Sequence, residues 1–167
     1  QLSNESKTWV KKGMNKIVKN DLALYSDSVL SVFIDSIKNY PTGILDSVLV
    51  LREADLTEDA NVLNSALIPE TIMDELDKEV NQYFLKIDIS GIASLSTLEV
   101  DRIREMASLC PFTEGEAVYR ARILAAALDT IETEYSNPCE IEPCDKSAIE
   151  NRITVNNEIR VYPNPSS

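Results

Sequence analysis

The sequence predicts an all-α fold of five to seven helices, stacked as antiparallel hairpins in an irregular or repeat-like bundle and followed by an extended C-terminal linker. Three observations predict it. Apolar residues recur at spacings of three and four through most of the first 132 residues, the period of an amphipathic helix. Short Pro- and Gly-bearing breaks separate these runs at 41–43, at 69, at 90–91 and over 110–115. Only 4 Gly and 6% aromatic residues disfavour a β-rich chain.

The first helical stretch spans 7–39 in two pieces. Trp9, Val10, Met14, Ile17 and Val18 form its opening stripe. After Asn20-Asp21, which can cap, Leu22, Tyr25, Val29, Val32, Phe33, Ile37 and Tyr40 continue it. Pro41-Thr42-Gly43 breaks it, and Ile44, Leu45, Val48, Leu49, Leu51 and Leu56 supply the apolar face of the next helix. Thr57-Glu58-Asp59-Ala60 reads as an N-cap with acidic residues in the first turn, where the macrodipole favours them. A short helix with Val62, Leu63, Ala66 and Leu67 ends by Pro69. Pro69-Glu70-Thr71 opens a longer one carrying Ile72, Met73, Leu76, Val80, Tyr83, Phe84 and Ile87, which Ser90-Gly91 ends. Ser96-Thr97-Leu98-Glu99 fits a capping box. Its helix runs through Leu98, Ile103, Met106 and Leu109 to Cys110-Pro111, and a last one from Ala117 to about Ile131. Beyond Thr133 the composition turns polar and Pro-bearing, so 1–132 reads as the helical domain and 133–158 as the linker. The chain shows no clean internal repeat; the Leu45–Leu67 hairpin lacks the marker spacing of helical repeat families.

The 167 residues carry a formal net charge of −12 and a pI near 4.4, and 44% of them are hydrophobic. So acidic a chain repels nucleic-acid phosphates and anionic lipid, which discounts both as partners. There is no histidine. The commonest general base, Ser-His and Cys-His nucleophile pairs and His-ligated metals are therefore excluded, and no catalytic or cofactor-binding residue stands out. No apolar run reaches the length of a membrane span, about 18 residues. Carboxylates are plentiful but form no EF-hand loop, and pairs such as Asp74/Glu75 and Glu53/Asp55 read as solvated helix faces.

At the C-terminus, Val161-Tyr162-Pro163-Asn164-Pro165 cannot be helical. Each proline lacks an N–H and pushes the residue before it into the extended region. With Ile159 and Ser166 the string resembles the opening of the type A C-terminal sorting domain of proteins exported by the type IX secretion system of Bacteroidota. In that family it begins a small β-sandwich, of which 159–167 would be the first residues. A second segment, Cys110-Pro111 followed by Gly115 and Ala117-Val118-Tyr119-Arg120-Ala121-Arg122, is similar to a helical segment that precedes the sorting domain in large Bacteroidota surface proteins. Glu116 departs from it, standing where a small residue often occurs. The resemblance implies an extracellular or cell-surface location, the secretion machinery as a partner through the sorting domain, and a passenger domain upstream in the same chain. It carries no enzymatic chemistry.

In an exported protein three cysteines imply one disulfide and a leftover thiol. Cys110–Cys139 would clamp the linker onto the last hairpin, closing a loop of about thirty residues worth roughly 3 kcal/mol. Cys110–Cys144 is the rival and Cys139–Cys144 a local option; three Cys without His make a poor metal site. Ser28, Ser36, Ser47 and Thr130 each follow Asp and precede an apolar residue, the pattern of O-glycosylation in exported Bacteroidota proteins. The competing reading is that they are ordinary helix positions or caps. Arg120 and Arg122 stand out in so acidic a chain. They read either as a carboxylate or phosphate site or, preferentially, as a tie from a helix end to an acid such as Glu99 or Asp101.

The expected function is a non-enzymatic helical spacer or accessory domain that links a surface passenger, such as an adhesin or repeat array, to the sorting signal. The alternative is a peptide- or glycan-binding module of a surface adhesin, marked by exposed aromatics among Trp9, Tyr40 and Tyr83. A plain spacer should have buried aromatics and no cleft with convergent polar groups.

Overall fold

The computed structural model describes residues 3–129 together with Tyr135 and Cys139. Among these the fold is all-α, with no strand. The elements are α1 (Asn4–Asn20), α2 (Leu22–Tyr25), α3 (Ser28–Ile37), α4 (Pro41–Glu53), α5 (Thr57–Ala66), α6 (Ile72–Ser90), a 3-10 turn (Ile92–Ser94), α7 (Thr97–Ser108), α8 (Pro111–Glu114) and α9 (Ala117–Leu128). The expected linker over 133–158 lies outside the described residues apart from Tyr135 and Cys139, and the sorting string over 159–167 lies wholly outside them.

Helix α6 is the spine. One of its faces gives Leu76, Val80 and Tyr83 to a core shared with Ile103 and Met106 of α7 and Leu124 of α9. Ala107 on α7 and Ala117, Ala121 and Ala125 on α9 are fully buried in that core. Without side chains beyond Cβ they let the two helices of this hairpin approach closely. The opposite side of α6 offers Leu85, buried against Val48 of α4 and Ala60 of α5. A third cluster joins Val18 of α1 to Ile34 and Ile37 of α3.

The breaks fall where turn chemistry places them, with instructive shifts. Pro41 and Pro111 do not merely stop helices: each is the first residue of the next one, where its missing N–H is one of the unpaired amides. Helix α5 starts at Thr57 with Leu56 as its N-cap and no side-chain cap, so the expected Thr57 cap is corrected. The preceding residue, Asp55, takes the left-handed conformation (φ 59°), and the Leu56 N–H donates to Leu51 O at 2.9 Å, a closure that fixes the entry to α5 before Thr57 can serve. Thr71 caps α6, accepting from the Asp74 N–H at 3.3 Å, and Gly91 (φ 77°) ends it.

The stretch over 7–39 is divided in three rather than two. Asp27 accepts from the N–H groups of Val29 and Leu30 at 2.8 and 3.0 Å, and this cap starts α3 in a new rotational phase. Val29 and Val32, expected in the stripe, are therefore 74% and 66% exposed, and Ile34 is buried in their place. Helix α1 departs further. It docks through Thr8, Asn15 and Lys12, while Val10, Met14 and Ile17 face solvent and only Val18 of the expected stripe is buried. The surface beneath it explains the inversion: it presents Asp46, Asp74, Asp77 and Glu116, so the lysine face settles there.

The capping box at α7 is complete. Ser96 Oγ accepts from the Glu99 N–H at 3.4 Å, and Glu99 Oε2 accepts from the Ser96 N–H at 2.7 Å. Lys86 donates to both Glu99 oxygens at 2.8 and 2.7 Å. The hydrogen bond from Lys86, then those from Ser96, lower the Glu99 pKa to about 2. A carboxylate depressed on folding contributes stability that is complete above its ordinary value, about 4.5, and lost as pH falls toward 2. Solvent screening holds this gain to about 1 kcal/mol. Glu99→Gln is therefore expected to melt lower than the native chain at pH 7, with the gap closing near pH 2; paired melting curves at the two pH values check this, and a gap independent of pH would refute it.

Candidate functional site

Between α1 and the body of the molecule runs a cleft of about 480 Å³. Leu45, Leu49 and Val50 of α4 and Met73 of α6 supply its apolar wall, and Trp9 and Gly13 of α1 its other side. Three lysines at helical spacing on α1 cross it to acids on three elements. Lys12 Nζ donates to Asp77 Oδ2 at 2.6 Å and lies 3.3 Å from Asp74 Oδ1. Lys16 pairs with Glu116 at 3.4 Å, and Lys19 with Asp46.

The inner end is a polar network. Thr71 Oγ1 donates to Asp74 Oδ2 at 2.8 Å, while Asp74 Oδ1 receives no hydrogen bond among the described residues and is held by the Lys12 charge alone. Asn64 Nδ2 donates to Lys78 O at 3.0 Å, and its Oδ1 accepts from Asn81 Nδ2 at 3.4 Å. This fixes the Asn81 amide so that its oxygen accepts from Arg120 Nη2. Arg120 Nη1 stands 3.8 Å from Asp77 Oδ1, too far for a hydrogen bond. The guanidinium lies over the Phe84 ring at 5.2 Å, and Arg52 lies over the same ring at 4.4 Å. Burial, only partly offset by Asp77, pulls the Arg120 pKa below its ordinary value.

A second network braces the α6–α7 hairpin. Arg102 reaches both Glu79 oxygens at 2.9 and 3.0 Å, and Tyr83 Oη donates to Glu79 at 2.7 Å. Burial pushes Glu79 up, but the hydrogen bonds from Arg102 and Tyr83 hold it below the ordinary glutamate value. Tyr83 is pushed up by burial and then by its bond to Glu79, so it stays a phenol. Fully paired and off the cleft, this group is a brace.

Of the residues singled out by sequence, Cys110 and Cys139 are joined by a disulfide with Cα atoms 5.0 Å apart; Cys144 lies outside the described residues. Ser28 is an exposed first-turn residue of α3. The Ser36 and Ser47 hydroxyls donate to the carbonyls of Phe33 and Gly43 at 2.7 and 2.9 Å, ordinary helix behaviour. Thr130 and the string Val161, Tyr162, Pro163, Asn164 and Pro165 lie outside the described residues. The arginines part company. Arg122 ties a helix end, donating to Ala107 O at 2.9 Å and Leu109 O at 3.4 Å, and stacks over Tyr119 and Tyr135. Neither arginine meets Glu99 or Asp101, which belong to Lys86 and Arg104. Of the three aromatics, Tyr83 is buried while Trp9 and Tyr40 are 38% and 47% exposed.

The acid pair Asp74/Glu75 is corrected: Glu75 is solvated, but Asp74 is 2% exposed under Lys12. Sequence reasoning missed this network. Beside Arg120, which stands out in so acidic a chain, the signal available was Lys12, Lys16 and Lys19 on a common helix face. Among the described residues no group of three His, Cys, Asp or Glu side chains is placed to hold a metal ion, and no helix is long and apolar enough to cross a membrane. Compared with known proteins, the chain matches no family model, no curated protein and no solved structure.

Proposed function

We propose that this chain is a non-enzymatic helical accessory domain of an exported bacterial surface protein, set between a passenger and a type IX sorting signal. The observation that carries the reading is the Cys110–Cys139 disulfide. It belongs to an oxidising compartment, and it ties position 139 to the start of α8, on the path toward the Val161-Tyr162-Pro163-Asn164-Pro165 string. A pull transmitted along the chain to the string would meet the bundle at a covalent clamp. The resemblances of that string and of the Cys110–Arg122 segment support the same location and the secretion machinery as partner.

The test is export. A reporter enzyme fused before Gln1, with a complete type A sorting domain supplied from residue 159 onward, should reach the cell surface of a bacterium with type IX secretion. Replacing Tyr162-Pro163-Asn164-Pro165 by alanines should retain it inside the cell envelope. Surface delivery that ignores this replacement rejects the reading.

The second reading, a binding module, gains from the cleft with its convergent polar end and from the exposure of Trp9 and Tyr40. A plain spacer has no use for these features. Accessory domain and binding module are compatible in one surface protein.

A further inference from the structure

We propose that the cleft beneath α1 is a binding site for a small organic carboxylate with an apolar body, its carboxylate held by Arg120. The inference is independent of the export reading, because it rests on the cleft alone.

The volume, about 480 Å³, falls in the range of small-molecule sites, roughly 300–1,000 Å³. The inner end supplies an anion receptor. A guanidinium has five N–H donors in a planar fork, the geometry that matches a carboxylate with two parallel hydrogen bonds. Among the described residues Arg120 makes one hydrogen bond, to Asn81, and its nearest carboxylate oxygen is 3.8 Å away on Asp77. That carboxylate is already engaged through its other oxygen by Lys12. Arg120 is thus a largely buried cation, its side chain 19% exposed, with donors to spare on the wall of the cleft. Phe84 covers one face and Asn81 fixes one edge, so little orientation is left to be lost on binding.

The charges around it permit an anion here even on a chain of net charge −12. Of the acids lining the cleft, Asp46, Asp77 and Glu116 each have a lysine of α1 beside them, and Glu53 is exposed. An arriving carboxylate therefore meets an available cation and, Glu53 apart, acids that are already paired. Only the exposed Glu53 is left for an amine, which elsewhere in the cleft would have to displace a lysine of α1 from its acid. The walls take an apolar body, with Leu45, Leu49 and Met73 on one side and Trp9 on the other.

Trp9 is the chain's one tryptophan and sits on the cleft, so its emission reports occupancy directly. Three probes of one shape separate the terms on the unmodified full chain: 3-phenylpropionate, 3-phenylpropanol and 3-phenylpropylamine, titrated at neutral pH. The expected result is a saturable change in Trp9 emission, with the acid binding about tenfold or more tighter than the alcohol, the gain of a charged hydrogen-bonded pair. Arg120→Gln should erase that preference and leave the alcohol unchanged. Arg120→Lys should restore only part of it, and Leu49→Phe, which fills the cleft, should weaken all three probes. Equal binding of the three, a preference for the amine, an acid preference that survives Arg120→Gln at an unchanged melting temperature, or no saturable change would each overturn the proposal. The comparison among probes on the native chain decides even if a variant fails to fold.

Discussion

Replacing both Cys110 and Cys139 by serine is expected to lower the stability of the chain by roughly 3 kcal/mol, a fall of about 10 °C in melting temperature for a domain of this size. The bond closes a loop over a sequence separation of 29. Its main effect is on the unfolded chain, which loses the freedom of that loop; the native packing of α7 on α9 stands without it. The core of that hairpin is made by Ile103, Met106, Leu124 and the buried alanines. The double variant should therefore keep its helical circular dichroism while melting earlier. Reductant should bring the native chain down to the variant's melting point and leave the variant where it is. Cys144→Ser should change nothing. A comparable loss there would mean that Cys110 works with Cys144, and a double variant as stable as the native chain in oxidising buffer would remove the covalent clamp from the functional reading.

The parts of this fold that could be read in the sequence are those in which local chemistry decides. The Ser96/Glu99 box, the Gly91 terminus and the break over 110–115, which ends at Gly115 with φ 87°, each depend on a few neighbouring residues, and each stands where spacing placed it. The α6–α7–α9 core was legible for a related reason, since Leu76, Val80, Tyr83, Ile103 and Met106 of the expected stripes face one another, while Ile72 and Leu98 are exposed instead. What sequence could not give was the orientation of α1. Its apolar stripe over Val10, Met14 and Ile17 predicts burial, yet the helix lies on its lysines because of acids at 46, 74, 77 and 116, far away in sequence. Periodicity reports which face is apolar and is silent on what the neighbours present. The same blindness hid the candidate site. Asp77 and Asn81 are unremarkable one by one, Arg120 stands out in sequence only as a cation in an acidic chain, and only the crossing of α6 and α9 brings the three together under α1.

Gly43→Ala is expected to destabilise the protein by about 1–3 kcal/mol, against the usual sign of that substitution. Within a helix alanine is better than glycine by about 1 kcal/mol, because it has less freedom to lose on folding. Gly43 lies in the first turn of α4 and is buried. A Cβ built there would stand 2.7 Å from Lys38 Cα and 2.9 Å from the Ile37 carbonyl carbon. Both are backbone atoms at the end of α3, so no side chain can swing aside to make room, and α3 itself must move. Its last turn carries Ile37, which with Val18 and Ile34 makes the cluster that holds α1 and α3 together. Pushing α3 off α4 therefore opens that cluster and disturbs the seat of α1, where Lys19 meets Asp46 one turn further along α4. The loss should fall on the N-terminal helices: amide exchange should accelerate over α1–α3 and change little over α6–α9. Gly13→Ala is the matched control, since a Cβ at Gly13, mid-way along α1, meets nothing within 4 Å. The same substitution there should stabilise by about 0.5–1 kcal/mol. Opposite signs in paired unfolding experiments are the expected outcome, and a Gly43→Ala chain at least as stable as the native one would show that α3 and α4 do not pack backbone to backbone at this point.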